Sequence, residues 1–242
     1  MRLGVGTASL NPIFNDDYWK IFSYAIKNDF YIHTALNYEN TEQYFSRAYS
    51  EGLKINKIIV KLAINKNPVK KIINIPKQIN YILEKFKLES IDSIQICNNP
   101  NANKLNLLIL KPILLRFKKK GIVRNFYLES FETFSSNLNK LINDNFFEGY
   151  LFTLNSLQRG ANRKFFNNII SSKKKIISIS PLAGGNSLNF LNKLDIKYRE
   201  QIEGIISHYN LENYNALNIA FLKSIKNLET GIVGSKKIDR IM

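Results

Sequence analysis

The chain reads as a (β/α)8 barrel, also called a TIM barrel, in one domain covering residues 1–242. Three observations predict this. Strand-like and helix-like segments alternate about eight times, which suits a barrel better than an open doubly wound sheet. The strand candidates are rich in Ile and Val with no polar face, as a parallel sheet buried on both sides requires. No linker or low-complexity stretch marks a second domain, and 242 residues with 45% hydrophobic content can bury one large core.

The elements follow in order. RLGVGTA is a short strand of small residues, and Asn15-Asp16 can cap a helix with Tyr18, Phe22, Ala25 and Ile26 on one face. FYIHT is the second strand, followed by the helix TEQYFSRAYSEG, which ends near Gly52. KIIVKLA is the third strand, and Pro76 opens a helix with Ile79, Ile82, Leu83 and Phe86 on its face. IDSIQIC is the fourth strand, and the helix PILLRFKKKG leads to the strand IVRNFYL. FETFSSNLNKLIN then leads to EGYLFTL, ANRKFFNNIISSKKK to IISISPL, and NYNALNIAFLKSI to LETGIVG. An extra helix, YREQIEGIISHY, lies between the last two strands and carries His208, which reads as a surface residue.

Composition limits the function classes. One cysteine, Cys97, excludes an internal disulfide and a metal cluster built on cysteines, and it suits a reducing cytoplasm. MRLGVGTASLNP lacks the apolar run of a signal peptide, and LNLLILKPILL is too short to cross a membrane. A cytoplasmic protein with no membrane partner is therefore expected. The net charge of +16 invites nucleic acid, through RFKKK (116–120), SKKK (172–175) and KNPVKK (66–71). No aromatic stripe interleaves these lysines, and RFKKK fits a helix end before Gly121, so they read as a solvated face. Binding to nucleic acid is not expected.

In a barrel, function gathers where the strands end. Those ends present Ala8-Ser9, His33-Thr34-Ala35, Lys61, Cys97-Asn98-Asn99, Glu129-Ser130, Asn155 to Arg159, Ser180 to Gly185, and Gly234 to Lys237. Small, glycine-bearing loops after strands seven and eight are suited to phosphate, because backbone N–H groups can approach an anion closely. Lys236, Lys237 and Arg240 add positive charge there. The competing reading is that Gly184, Gly185 and Gly234 only turn the chain.

The segments LGVGTASL, IHTALNYENTEQYFSRAY, IIVKLA, IDSIQICNNP, KKKGIVRNFYLESF, LNSLQR, ISISPLAGG and GIVGSKKIDRI, in this order and spacing, resemble the aldo-keto reductase family over essentially the whole chain. The resemblance implies a nicotinamide cofactor, usually NADPH, and a small-molecule carbonyl substrate. It also implies a catalytic Asp, Tyr, Lys and His. The Tyr protonates the carbonyl oxygen, the Lys lowers the Tyr pKa and is held by the Asp, and the His donates to the carbonyl oxygen.

Carried over by position, Asp-Thr-Ala-x-x-Tyr falls on His33 to Tyr38, so Tyr38 is kept and His33 replaces the Asp. The lysine is Lys61, and the histidine position, counted from Asp92, is Cys97, a weaker donor. Lys61 is thus expected to lack its carboxylate, and His33→Asp to restore one. The implied cofactor contacts are Ser130, Ser180, Leu182, Gly184, Ser235, Lys236 and Arg240, with no metal.

On the nicotinamide side the chain departs from the family. Gly-x-Ser-Asn reads Tyr127 to Ser130, the stacking aromatic is Ile179, and a glutamine position is Leu151. With Met242 as its last residue, the chain is also expected to lack most of the final helix and its adenine contacts. Two readings follow. One is a divergent NADP(H)-dependent reductase acting through Tyr38 and Lys61, with His33 as a replacement polar group. The other is a barrel that binds a nucleotide or partner without hydride transfer. Substrate identity and oligomeric state are not written in the chain.

Overall fold

Strands of alternating side-chain direction close a barrel when each pairs in parallel with the next. A computed structural model describes residues 2–10, 15–38, 40–63, 74–97, 104–129, 145–158, 163–182, 191–235 and 237–238. Its strands are β1 (Arg2–Gly6), β2 (Tyr31–Ala35), β3 (Ile58–Ala63), β4 (Ile91–Cys97), β5 (Val123–Glu129), β6 (Gly149–Thr153), β7 (Lys175–Ile179) and β8 (Leu228–Val233). All are parallel, and β8 returns to β1 through Leu3↔Gly231 and Val5↔Val233. The closed eight-stranded barrel is the fold that the alternating pattern predicts.

The described helices are α1 (Asp16–Lys27), α2 (Thr41–Ser50), α3 (Ile75–Lys85), α4 (Lys104–Lys119), α5 (Arg163–Ser171), α6 (Ile196–His208) and α7 (Tyr214–Lys223). FETFSSNLNKLIN lies outside the described residues. Asn15 caps α1 by accepting from the Tyr18 N–H at 2.9 Å, an arrangement that typically contributes about 1 kcal/mol. Gly121 follows α4 in the left-handed region at φ +71°, where a side chain would be strained, and its N–H reaches the Lys118 carbonyl at 3.0 Å.

Three expectations are corrected. The first strand stops at Gly6, and Thr7–Leu10 turn into a 3-10 helix that the Thr7 hydroxyl ties to Thr34. The helix expected from Pro112 begins at Lys104 and carries Pro112 inside it. Leu110 and Leu114, one turn apart, are fully buried there, and that burial offsets the roughly 3 kcal/mol cost of an interior proline. The cluster SKKK is not simply solvated. Lys174 donates to the Phe147 carbonyl at 2.7 Å, and Lys175 lies 3.1 Å from Glu148.

Two apolar layers result from the strand alternation. Outward-facing Ile32, Val60, Ile94, Phe126 and Phe152 meet the helices. Phe22, Phe45 and Phe86 link α1, α2 and the end of α3, with ring centroids 5.2 and 4.3 Å apart. Inside the barrel, Tyr31, Ile59, Tyr127, Leu151, Ile177 and Ile232 form a separate buried cluster. The wall is close-packed beside it: a Cβ on Gly4 would stand 2.4 Å from Ile232 Cδ1. This plug floors the space at the carboxyl ends of the strands.

Candidate active site at the barrel mouth

Two residues further along the strands, the interior changes character. His33 stands above Tyr31 on β2, Lys61 above Ile59 on β3, and Glu129 above Tyr127 on β5. On β4, Gln95 pairs in register with Lys61 on one side and Tyr127 on the other. The reading of strands without a polar face therefore fails at β4, whose alternating Ser93 and Gln95 are both buried. Four successive strands place four polar side chains on one wall.

These side chains form a chain of contacts. Lys61 Nζ lies 3.5 Å from Glu129 Oε2, Gln95 Nε2 donates to the same oxygen at 2.9 Å, and Gln95 Oε1 lies 2.5 Å from His33 Nε2. Lys61 is therefore not without a carboxylate, as the sequence suggested. Its carboxylate comes from β5 instead of β2. The Glu129 side chain is 8% exposed and that of Lys61 33%, so the pair is closed below and open toward the mouth. Burial holds the His33 pKa below its ordinary value; Lys61 adds to this, against the opposing pull of Gln95 and Glu129. Burial thus favours the uncharged imidazole of His33.

The turns above the wall are fixed by local bonds. The Thr7 hydroxyl donates to Thr34 Oγ1 at 2.9 Å, tying the 3-10 turn to β2. Tyr38, half-buried, lies in the turn after β2, with its N–H on the Ala35 carbonyl at 3.2 Å. Cys97 is the last residue of β4, in register with Ala63.

At the other side of the mouth the interior is apolar. Leu151 and Ile177 are fully buried, and Ile179 packs against them half-buried. Ser180, after β7, adopts a left-handed φ of +53°, and its carbonyl accepts from Asn155 Nδ2 at 3.1 Å. Asn155 Oδ1 also accepts from the N–H groups of Leu157 and Gln158, so this buried residue sets the turns after β6 and β7 together. Leu182 is half-buried, and Ser235 Oγ donates to the Lys237 carbonyl at 2.8 Å, shaping the turn after β8. Ser130, Gly184, Lys236 and Arg240 lie outside the described residues.

The described parts suit a dinucleotide cofactor in chemical kind. Half-buried Ile179, above the apolar floor, suits a flat ring, and turned small-residue ends at Ser180 and Ser235, with exposed Lys237, suit an anion. Among the described residues no group of three His, Cys, Asp or Glu side chains could hold a metal ion, and no helix is long and apolar enough to cross a membrane. His208 is exposed and meets Tyr209 edge-on at 4.8 Å, away from this site.

The sequence places His33, Lys61 and Glu129 at strand ends, but it pairs Glu129 with nothing and gives Gln95 no role. Ser-x-Gln in IDSIQIC, alternating with Ile, was the available signal for an inward polar face.

No protein-family model matches the chain, and no curated protein does. Solved structures do. A thermostable aldo-keto reductase in complex with the inhibitor epalrestat is similar at TM-score 0.72 and 16% identity, over 99% of this chain and 86% of that one. An aldo-keto reductase complexed with NADPH matches at TM-score 0.72 and 16% identity, over 99% of this chain and 76% of that one. An aldo-keto reductase from Bacillus halodurans, in its holo form, matches at TM-score 0.72 and 16% identity, over 99% and 84%. The chain has the barrel fold of the aldo-keto reductases.

Proposed function

We propose that this protein is an NADP(H)-dependent reductase of small-molecule carbonyl compounds, working in a reducing, cytoplasmic setting. The observation that carries the reading is the Lys61–Glu129 pair at the barrel mouth. A lysine held by a buried carboxylate supplies the fixed positive charge that a proton-donating tyrosine requires. Bound NADPH would supply the hydride. Tyr38 gives its proton to the substrate oxygen, Lys61 lowers the Tyr38 pKa as that charge shifts, and Glu129 holds the ammonium in place. Leu151 and Ile177 seal the floor beneath Ile179 against water, while Cys97 stands at the position of the family's second donor.

Ser180, Leu182, Gly184 and Ser235 would hold the cofactor's phosphates, with Ser130 on its nicotinamide side. Lys236 and Arg240 would face an adenosine 2′-phosphate, a charge-assisted contact that a hydroxyl cannot make. A second reading has its own support. Glu129 stands where the resemblance puts a carboxamide contact, and Ile179 replaces an aromatic, which suits a barrel that keeps a nucleotide without transferring hydride.

Mixing purified protein with NADPH and following its fluorescence tests the cofactor assignment. NADPH should bind, and calorimetry should show NADP(H) binding more tightly than NAD(H). No heat with either at millimolar concentration would end the reductase reading, and equal affinity would remove the 2′-phosphate assignment.

A further inference from the structure

We propose that Gln95 is a positioning residue that fixes His33 as a neutral imidazole protonated on Nε2, leaving Nδ1 with its lone pair, so that His33 serves the barrel mouth as a hydrogen-bond acceptor. This rests on the reading of the mouth as the reductive site, but its derivation uses only the contacts beneath it.

Lys61 Nζ and Glu129 Oε2 form an ion pair at 3.5 Å. A carboxylate only accepts hydrogen bonds, so the group facing it from Gln95 must be the amide NH2, at 2.9 Å. That leaves Gln95 Oε1 toward His33, at 2.5 Å. A carbonyl oxygen also only accepts, so His33 Nε2 must carry the hydrogen. Turning the amide over would set oxygen against carboxylate and NH2 against the ring, losing the bond to Glu129. The buried chain thus has one consistent direction of donation, from His33 to Gln95 to Glu129.

The rest of the surroundings agree. His33 is buried at 7% exposure, and Lys61, Glu129 and Gln95 are the groups that act on its charge. A second proton on Nδ1 would place a cation in this pocket near Lys61. Any group that meets Nδ1 must therefore donate. A carbonyl oxygen gains nothing there, whereas a hydroxyl does. Proton delivery to a substrate carbonyl is left to Tyr38, and His33 does not replace the donor missing at Cys97.

The chain's two histidines make the test direct. Protein labelled with 15N in its imidazole rings gives signals from His33 and His208 only, and His208→Gln assigns them. At pH 7.5 the parent should show His33 with Nε2 protonated and Nδ1 unprotonated. In Glu129→Gln the new amide can donate as well as accept, so the Gln95 amide loses its fixed sense. His33 should then populate both neutral forms while the His208 signals stay unchanged. An Nδ1–H form or an imidazolium in the parent at pH 7.5 overturns the proposal, as does a Glu129→Gln variant that keeps His33 purely in the Nε2–H form. If that variant does not fold, the parent spectrum alone decides. Absence of NADPH binding would sink the reductase reading and leave this spectrum unchanged, so the two failures are distinguishable.

Discussion

The two walls of the barrel mouth differ in what stands one pleat above the same apolar floor. On β2 to β5 the floor residues Tyr31, Ile59 and Tyr127 are followed by His33, Lys61 and Glu129, with Gln95 between. On β6 and β7, Leu151 and Ile177 are followed by Thr153 and Ile179, and the polar work moves up into the turns at Asn155, Ser180 and Ser235. One wall holds the Lys61–Glu129 ion pair and the His33–Gln95 contact, and the other carries its polar groups in the turns. Substitutions on the polar wall should therefore change rate and pH response, and substitutions on the apolar wall should change stability.

The largest expected effect is on the polar wall. Lys61→Met removes the cation that the proposed mechanism assigns to Tyr38 and should lower carbonyl reduction by about 10²–10⁴-fold, the range typical of a lost acid–base partner, read from steady-state kinetics. On the apolar wall, Leu151→Ala should cost about 2–5 kcal/mol in urea unfolding, as truncations in packed cores do, with the form of the pH profile kept. If Leu151→Ala instead shifted the pH profile and left stability intact, the division between the walls would fail.

His33→Asp sharpens the comparison. From the sequence alone this change promised a partner for Lys61. With Glu129 already on Lys61, it places a carboxylate against Gln95 Oε1, where two acceptors face each other. It should therefore destabilise the fold by about 1–3 kcal/mol, the usual cost of a buried unsatisfied group, and should not raise activity. A rise in reduction rate for His33→Asp would restore the simpler account.

A smaller effect concerns pH. The His33 pKa is depressed by burial, so between its ordinary value of 6.5 and its lowered folded value the unfolded chain binds more protons. Stability is then fully present above about pH 6.5 and is lost as pH falls through that window, by up to about 1.4 kcal/mol per pH unit. His33→Asn should flatten this part of the curve in thermal melts taken across the window. An unchanged slope would show that His33 is not the titrating group.

Much of the fold was legible because each β-then-α unit carries its own local signals: a cap at Asn15, a stop at Gly121, Ile-rich strands. The candidate site was half legible. Strand ends named His33, Lys61 and Glu129, yet which side chains meet across the interior depends on register between strands far apart in sequence. Lys61↔Gln95 and Gln95↔Tyr127 are set by the stagger of the whole barrel. The resemblance puts the carboxylate on β2, and nothing local in the sequence ties Glu129 on β5 to Lys61. Pro112 was read as a helix start because its intrinsic cost is local, whereas the burial that overrides it is tertiary.

The central claim is that Glu129 now holds the lysine that makes Tyr38 an acid. NADPH oxidation with a panel of aldehydes, run on the parent, Tyr38→Phe and Glu129→Gln, tests it most directly. The parent should reduce at least one aldehyde above background, Tyr38→Phe should fall by about 10²-fold or more, and Glu129→Gln by about tenfold or more, while both variants still bind NADPH. A parent that binds NADPH but shows no rate, or a Tyr38→Phe variant as fast as the parent, would contradict the account and favour a barrel that binds nucleotide without hydride transfer.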